Sequence, residues 1–104
     1  MIAAANPLRG EATLAVNGMD YVLRPSFESL VLTEAELGSL FALVERAAGG
    51  ALTLTEMTTL LWHCLPSEGR PERIAVGQAV LAMGLVEATR PVRAVLAQVL
   101  QGDA

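Results

Sequence analysis

His63 and Cys64 are the side chains of this 104-residue sequence best suited to nucleophilic or metal chemistry. They are its only histidine and its only cysteine. As neighbours on a predicted helix they point about 100° apart, so they cannot act together as a nucleophile and its base. A metal site needs several ligands with recognisable spacing, and no second histidine or cysteine supplies them. We expect Cys64 to be a small buried hydrophobic residue and His63 to lie at the surface or the rim.

The acidic residues have a simpler explanation than an active site. Glu28, Glu36, Glu56 and Glu72 lie where helices are predicted to begin, and the helix dipole favours negative charge at that end. Gly49-Gly50 follows a predicted helix instead of preceding one, which is typical of a helix terminator and not of a phosphate-binding loop. We therefore predict a protein that is not an enzyme and that needs no metal or cofactor.

The composition predicts a partner-binding protein. Apolar residues make up 53% of the sequence and charged residues 17%, and the mean hydropathy is +0.47. A domain of this size cannot bury that much apolar surface, so some should remain for a partner. The net charge of −4 disfavours binding to nucleic acid.

Three features predict a soluble intracellular protein that does not interact with a membrane. The single cysteine fits a reducing compartment. The N-terminus lacks the pattern of a signal peptide. The longest apolar run, from Ile74 to Val86, is too short to span a bilayer.

A β-hairpin is the clearest structural signal. Asn17-Gly18 favours a two-residue type I′ turn, which needs a positive φ at both positions. This turn predicts that Val16 pairs with Met19, Leu14 with Tyr21, Ala12 with Leu23 and Glu11 with Arg24. An isolated hairpin is marginally stable in water, so its apolar face must lie on helices.

Five short helices should follow the hairpin. Ser26, Ser39 and Thr53 are the predicted N-caps of the first three, and Thr53 to Glu56 forms a capping box. Thr33 to Glu36 also fits a capping box, which leaves open a break in the first helix. The predicted buried stripes are, in order, Phe27, Leu30, Val31, Glu34 and Leu37; Leu40, Phe41, Val44 and Ala48; and Met57, Leu60, Leu61 and Cys64.

The fourth helix should begin at Pro71 and end near Met83, with Gly84 to Thr89 as a linker to the last helix. The predicted fold class is α+β, mainly α, with an N-terminal hairpin packed on a bundle of about five short helices. Residues 1–10 are expected to be a flexible tail and residues 11–101 a single domain.

Two features indicate a partner. Trp62 lies about 140° from the centre of its helix's buried stripe, so either the C-terminal helix covers it or it is exposed as an interface anchor. The fourth helix is apolar nearly all round, with Ile74, Leu81 and Leu85 on one side and Val76, Val80 and Met83 on the other. Such a helix is either central in its own fold or pressed against another chain.

The sequence also resembles a phage family. The matching elements are Arg9-Gly10-Glu11, the hairpin with Leu23 to Leu30, Leu37-Gly38, and Gly50 to Thr53. They are similar to those of the small tail protein of gene transfer agents and related siphophages, usually catalogued as a tail assembly chaperone and sometimes as a tail tube protein. The match covers about residues 9–65, with Ser26 where the family has threonine. The family often has more acidic residues in the fourth helix region.

The resemblance implies a non-enzymatic morphogenesis factor in the cytoplasm of the host bacterial cell, with the tape measure protein, the major tail protein or both as partners. The apolar fourth helix separately suggests possible self-association. On this view the partner-binding groove would consist of Trp62, Val76, Val80 and Met83. The alternative is a structural tail subunit that stays in the particle, and a third possibility is a small enzyme or regulator of unknown substrate.

Overall fold

Two strands and five helices follow one another along the chain. The computed structural model describes residues 12–102, so the predicted tail of residues 1–10 lies outside the described residues. The elements are β1 (Ala12–Val16), β2 (Met19–Leu23), α1 (Phe27–Leu37), α2 (Leu40–Ala48), α3 (Leu54–His63), α4 (Arg73–Met83) and α5 (Leu85–Gln101). The predicted mainly helical α+β fold, a hairpin packed on five helices, is confirmed.

The hairpin has the predicted register. Asn17 and Gly18 have φ values of 53° and 78°, as a type I′ turn requires. Val16 pairs with Met19, Leu14 with Tyr21 and Ala12 with Leu23, while the predicted partner of Arg24, Glu11, is outside the described residues. Leu14, Val16 and Leu23 are buried, and β1 packs against α4 and α5. The apolar face of the hairpin therefore closes one side of the helical core.

Helix α3 is the central element. Its capping box is present in both directions, because the Thr53 side chain accepts from the Glu56 backbone and the Glu56 side chain accepts from the Thr53 backbone. The predicted stripe of Met57, Leu60, Leu61 and Cys64 is buried, and so are the threonines at 58 and 59. The threonine side faces α4, where a Cβ added at Gly77 would lie 3.6 Å from Thr58. Helices α1, α4 and α5 all pack against α3.

Helix α1 is continuous, so the alternative of a break near Leu32 was wrong. Thr33 is buried inside the helix, and its hydroxyl donates to the carbonyl of Ser29 at 2.8 Å. A threonine that satisfies its hydroxyl in this way does not need to cap a new helix. The buried edge of α1 contains Thr33 with the partly buried Leu30 and Leu37, whereas Phe27 and Val31 from the predicted stripe are exposed.

Helix α2 buries a different side from the one predicted. Leu43, which the predicted stripe omitted, is its buried residue, while Phe41 and Ala48 are exposed. Ser39 caps the helix as predicted, with its side chain accepting from the backbone of Ala42. Because α2 carries apolar residues on several sides, its periodicity could not determine which side would face α5.

The predicted linker at Gly84 to Thr89 was wrong. Gly84 alone makes the turn, with a φ of 93° that favours glycine, and α5 begins at Leu85. The backbone of Ala88 already donates to the carbonyl of Gly84 at 2.9 Å. Pro91 lies inside α5 and is buried, so packing against the core offsets the hydrogen bond that proline cannot donate.

Candidate protein-interaction surface

A polar cluster joins three helices at one end of the fold. Glu36 in the last turn of α1 accepts two hydrogen bonds from the Arg73 guanidinium at the start of α4, at 2.6 and 3.0 Å. The same carboxylate accepts from Nε2 of His63 at the end of α3. Hydrogen bonds from Arg73 and His63 lower the pKa of Glu36 from 4.5 to about 2. This cluster fixes the relative positions of α1, α3 and α4.

Two predictions about these residues are therefore corrected. His63 is not at the surface or the rim, since only 5% of it is exposed; it is buried because α3 is covered on nearly every side. The other ring nitrogen of His63, Nδ1, is buried and has no hydrogen-bond partner among residues 12–102. Glu36 does not begin a helix, and its negative charge is stabilised by Arg73 instead of a helix dipole.

Trp62 is covered on its polar side by the segment that precedes α4. Its indole N–H donates to the carbonyl of Pro71 at 3.0 Å. The guanidinium carbons of Arg70 and Arg73 lie 4.4 and 4.5 Å from the ring centroid, a distance at which a cation is attracted to an indole face. The side chain is half-buried. In this structure Trp62 thus anchors the loop between α3 and α4.

Cys64 is buried, as predicted, with 1% of it exposed. Burial raises the pKa of its thiol to about 12, so almost none of it is the reactive thiolate at neutral pH. Within residues 12–102, no group of three or more histidine, cysteine, aspartate or glutamate side chains is placed to hold a metal ion.

Helix α4 presents two different sides. Val76 and Val80 have no exposed surface and belong to the core, and Met83 is half-buried beside them. Ile74 and Leu81 on the opposite side are 68% and 58% exposed, with the exposed Gln78 between them. We call Ile74, Gln78 and Leu81 the outer stripe of α4. Because they are fully buried, Val76 and Val80 can contact another chain only if α4 moves.

A shallow apolar groove runs between α2 and α5. It consists of two depressions of about 240 and 390 Å³ that share Ala47 and Arg93. Leu85 and Val86 line one end and Leu100 lines the other. This stretch of α5 spans about 22 Å at the usual helical rise. We call it the α2–α5 groove.

Arg93 is the only charged side chain that lines the α2–α5 groove in the described part of the chain. The nearby arginines are paired, Arg46 with Glu56 and Arg90 with Glu87. No hydrogen bond or ion pair joins the Arg93 side chain to any residue from 12 to 102. The groove therefore combines an apolar floor with one unneutralised positive charge near its middle.

The outward side of α1 is a second exposed apolar surface. Phe27 is 86% exposed, and Val31 and Leu32 are each nearly half exposed. Glu28 lies between them on the same side of the helix and has no ion pair within residues 12–102. We call Phe27, Glu28, Val31 and Leu32 the α1 patch.

Comparison with known protein families places this fold among phage tail proteins. The family described as "Phage tail tube protein, GTA-gp10" matches residues 9–102, which is most of the chain. The chain belongs to this family of tail proteins. A search of curated proteins and a search of solved structures gave no match. The resemblance seen in residues 9–65 is thus confirmed and extends through α4 and α5.

Membership in a tail protein family suggests that the exposed apolar side chains contact other tail components. None of the helices between residues 12 and 102 has both the length and the apolar character needed to cross a bilayer. Three exposed apolar surfaces of the described residues are the outer stripe of α4, the α1 patch and the α2–α5 groove; Phe41 and Met19 are exposed outside them.

The α1 patch and the α2–α5 groove were not predicted from the sequence, for the same reason. Helix α1 packs against α3, and helix α2 packs against α5. Each of the two helices is apolar on more than one side, so hydrophobic spacing did not distinguish its buried side from its exposed side. One available signal was the position of Glu28 beside Phe27 and Leu32. A carboxylate at helical spacing from large apolar residues indicates a side that cannot be fully buried.

Proposed function

We propose that this member of the tail protein family is a non-enzymatic tail assembly chaperone that binds an apolar helical segment of another tail polypeptide. The candidates for that polypeptide are the tape measure protein, the major tail protein or both, and the site of action is the cytoplasm of the host bacterial cell. The observation that carries the proposal is the exposure of Ile74 and Leu81 on a helix whose other side forms the core. Family membership directs that exposed surface toward tail assembly.

The outer stripe of α4 suits a partner helix. Ile74 and Leu81 are seven residues apart, so they point the same way about two turns from each other. An amphipathic helix presents anchors at this spacing to the surface on which it docks. The uncharged Gln78 between them keeps the stripe free of a net charge. This stripe replaces the Val76, Val80 and Met83 side as the surface that we expect a partner to contact first.

Trp62 retains a place in the proposal. It is half-buried, and the arginines that lie over its ring come from the segment at residues 70–73, next to Ile74. A partner helix on the outer stripe would end close to this segment. The groove of Trp62, Val76, Val80 and Met83 that we predicted from the sequence could form only if α4 moved away from α3, because Val76 and Val80 are buried.

Co-expression with the cognate tape measure protein tests the proposal. We expect the wild-type chain to raise the soluble fraction of the tape measure protein, and Ile74→Asp plus Leu81→Asp to remove that effect. Phe41→Asp is the matched control, because Phe41 is 74% exposed on α2, which packs mainly on α1 and α5. Circular dichroism and thermal unfolding establish that each variant is folded. No rescue by the wild type, or full rescue by the double variant, contradicts the proposal.

A second candidate function is a structural tail subunit that stays in the particle. It is favoured by the family description as a tail tube protein and by the hairpin, whose outer edges pair with no other strand in residues 12–102. An unpaired edge can extend a sheet between copies. Mass spectrometry of purified particles separates the two candidates, because a structural subunit is present in stoichiometric amounts and a chaperone is absent.

A further inference from the structure

We propose that copies of this chain associate head to tail, with the α1 patch of one copy seated in the α2–α5 groove of the next. The inference goes beyond the proposed function, because it concerns a second copy of the same chain and does not use the outer stripe of α4. It depends on two surfaces of the described chain that differ in shape and charge.

The charges of the two surfaces are complementary. The groove carries one positive side chain, Arg93, and the α1 patch carries one negative side chain, Glu28; neither has an ion pair among residues 12–102. Apolar side chains flank each charge: Leu85, Val86 and Leu100 line the groove with Arg93, and Phe27, Val31 and Leu32 lie beside Glu28 on the patch. Contact between the surfaces would place opposite charges together within an apolar rim, an arrangement that fixes register and partner choice.

The dimensions of the two surfaces also agree. α1 has 11 residues, so it is about 16 Å long and fits within the length of the groove, which is about 22 Å. The most exposed side chains of each surface are large and apolar: Phe27 is 86% exposed and Val86 is 81% exposed. Burial of such side chains is the main favourable term in association, and a helix laid in an apolar groove is a common way to achieve it.

One chain cannot satisfy both surfaces by itself. The buried edge of α1, centred on Thr33, packs against the body of the fold, mainly on α3 and α2. The α1 patch is on the other side of that helix and faces solvent. A patch and a groove that differ from each other form a heterologous contact, which leaves one patch and one groove open after each addition. Such contacts produce rings when the rotation closes and filaments when it does not.

Sedimentation velocity on the purified chain over a concentration series tests this inference. We expect wild-type mass to grow with concentration beyond that of a dimer. Phe27→Asp removes the patch and Val86→Asp removes the groove, so each variant alone should be a monomer. An equimolar mixture should give a heterodimer that grows no further, because the patch of the Val86→Asp chain enters the groove of the Phe27→Asp chain and both remaining surfaces are disabled.

Ile74→Asp is the matched control. Residues 27, 74 and 86 each lie in the first turn of a helix, where the helix dipole tolerates an added aspartate, and all three are at least 68% exposed. Ile74→Asp should assemble like the wild type. Should Val86→Asp unfold at a lower temperature than the wild type, Arg93→Glu replaces it as the groove variant.

The charge pair gives a second, independent measurement. Glu28→Arg or Arg93→Glu alone places like charges across the contact and should raise its dissociation constant by about tenfold or more. The double variant with both changes restores opposite charges and should return the constant to within about threefold of the wild-type value.

Three results overturn the inference: a wild-type chain that stays monomeric at every concentration, a Phe27→Asp variant that still assembles, or an equimolar mixture that does not form a heterodimer. A monomeric chain in which Val86→Asp nevertheless abolishes rescue of the tape measure protein would assign the groove to another polypeptide. If the chaperone proposal alone is wrong, the wild-type chain does not raise the soluble fraction of the tape measure protein, but it still assembles head to tail in sedimentation velocity.

Discussion

Glu36 provides the strongest test of how the helices are held together. Its carboxylate accepts hydrogen bonds from both Arg73 of α4 and His63 of α3. Replacing it with glutamine keeps the size of the side chain and removes the negative charge. The substitution should loosen the junction of α1, α3 and α4 without creating a cavity, and it should abolish one defined part of the pH dependence of unfolding.

The sign and size of the Glu36 contribution to the free energy of unfolding follow from the pKa of its carboxyl group. The folded-state value of about 2 lies below the ordinary value of 4.5, so the unfolded chain binds the proton more tightly. The stabilisation is complete above pH 4.5 and is lost as the pH falls toward about 2. The full difference corresponds to about 3 kcal/mol. Because the Glu36 side chain is 39% exposed, solvent screening reduces the expected contribution to about 1–2 kcal/mol.

Urea unfolding followed by circular dichroism measures this contribution. At pH 7 we expect Glu36→Gln to lower the free energy of unfolding by about 1–2 kcal/mol, and we expect the difference from the wild type to shrink toward zero as the pH approaches 2. Glu45→Gln is the control, because Glu45 is exposed and its side chain has no ion pair in residues 12–102. An unchanged free energy at pH 7, or a difference that is the same at both pH values, would refute the reasoning.

Three further predictions concern the core and a helix cap. Leu61→Ala should lower the free energy of unfolding by about 2–5 kcal/mol, because Leu61 is fully buried in the central helix; a loss below about 1 kcal/mol in urea unfolding would contradict its central position. Thr53→Ala should cost about 0.5–2 kcal/mol through loss of the capping box, whereas Thr53→Ser should retain most of that stability in the same assay. Cys64 should react with a thiol reagent such as Ellman's reagent only after urea unfolds the chain, and rapid reaction of the native protein would show that the thiol is accessible.

Local signals in the sequence were sufficient for the hairpin and for the starts of α1, α2 and α3, but not for the start of α4, which is Arg73 instead of Pro71, or for the turn at Gly84. Asn17-Gly18 predicted the hairpin register because asparagine followed by glycine favours a two-residue type I′ turn, whose two positive φ values both residues adopt. Thr53 with Glu56 fixed the start of α3 in the same way. These features involve residues within a few positions of one another, so the rest of the fold does not change them.

Features that depend on the neighbours of a helix were not predictable in the same way. From the sequence, His63 was expected at the rim because it lies beside the apolar stripe of α3. It is buried because α1 and α4 pack against this end of α3, where Glu36 contacts both His63 and Arg73. The same applies to Leu43, whose burial depends on how α2 packs on α1 and α5. The composition indicated that apolar surface would remain exposed, but its location depends on which side of each helix the core occupies.

The positions of the exposed surfaces determine how the two proposals combine. The outer stripe of α4 is centred on Gln78 and carries no charge, while the α2–α5 groove carries Arg93 and the α1 patch carries Glu28. The stripe and the patch belong to different helices, and the groove meets α4 only near the turn at Gly84, where Leu85 begins α5. A chain linked to its neighbours through patch and groove would therefore keep Ile74 and Leu81 open. A row of such copies would present a row of apolar stripes, which suits a long helical partner better than a single copy does, since linked sites raise the effective concentration of each contact.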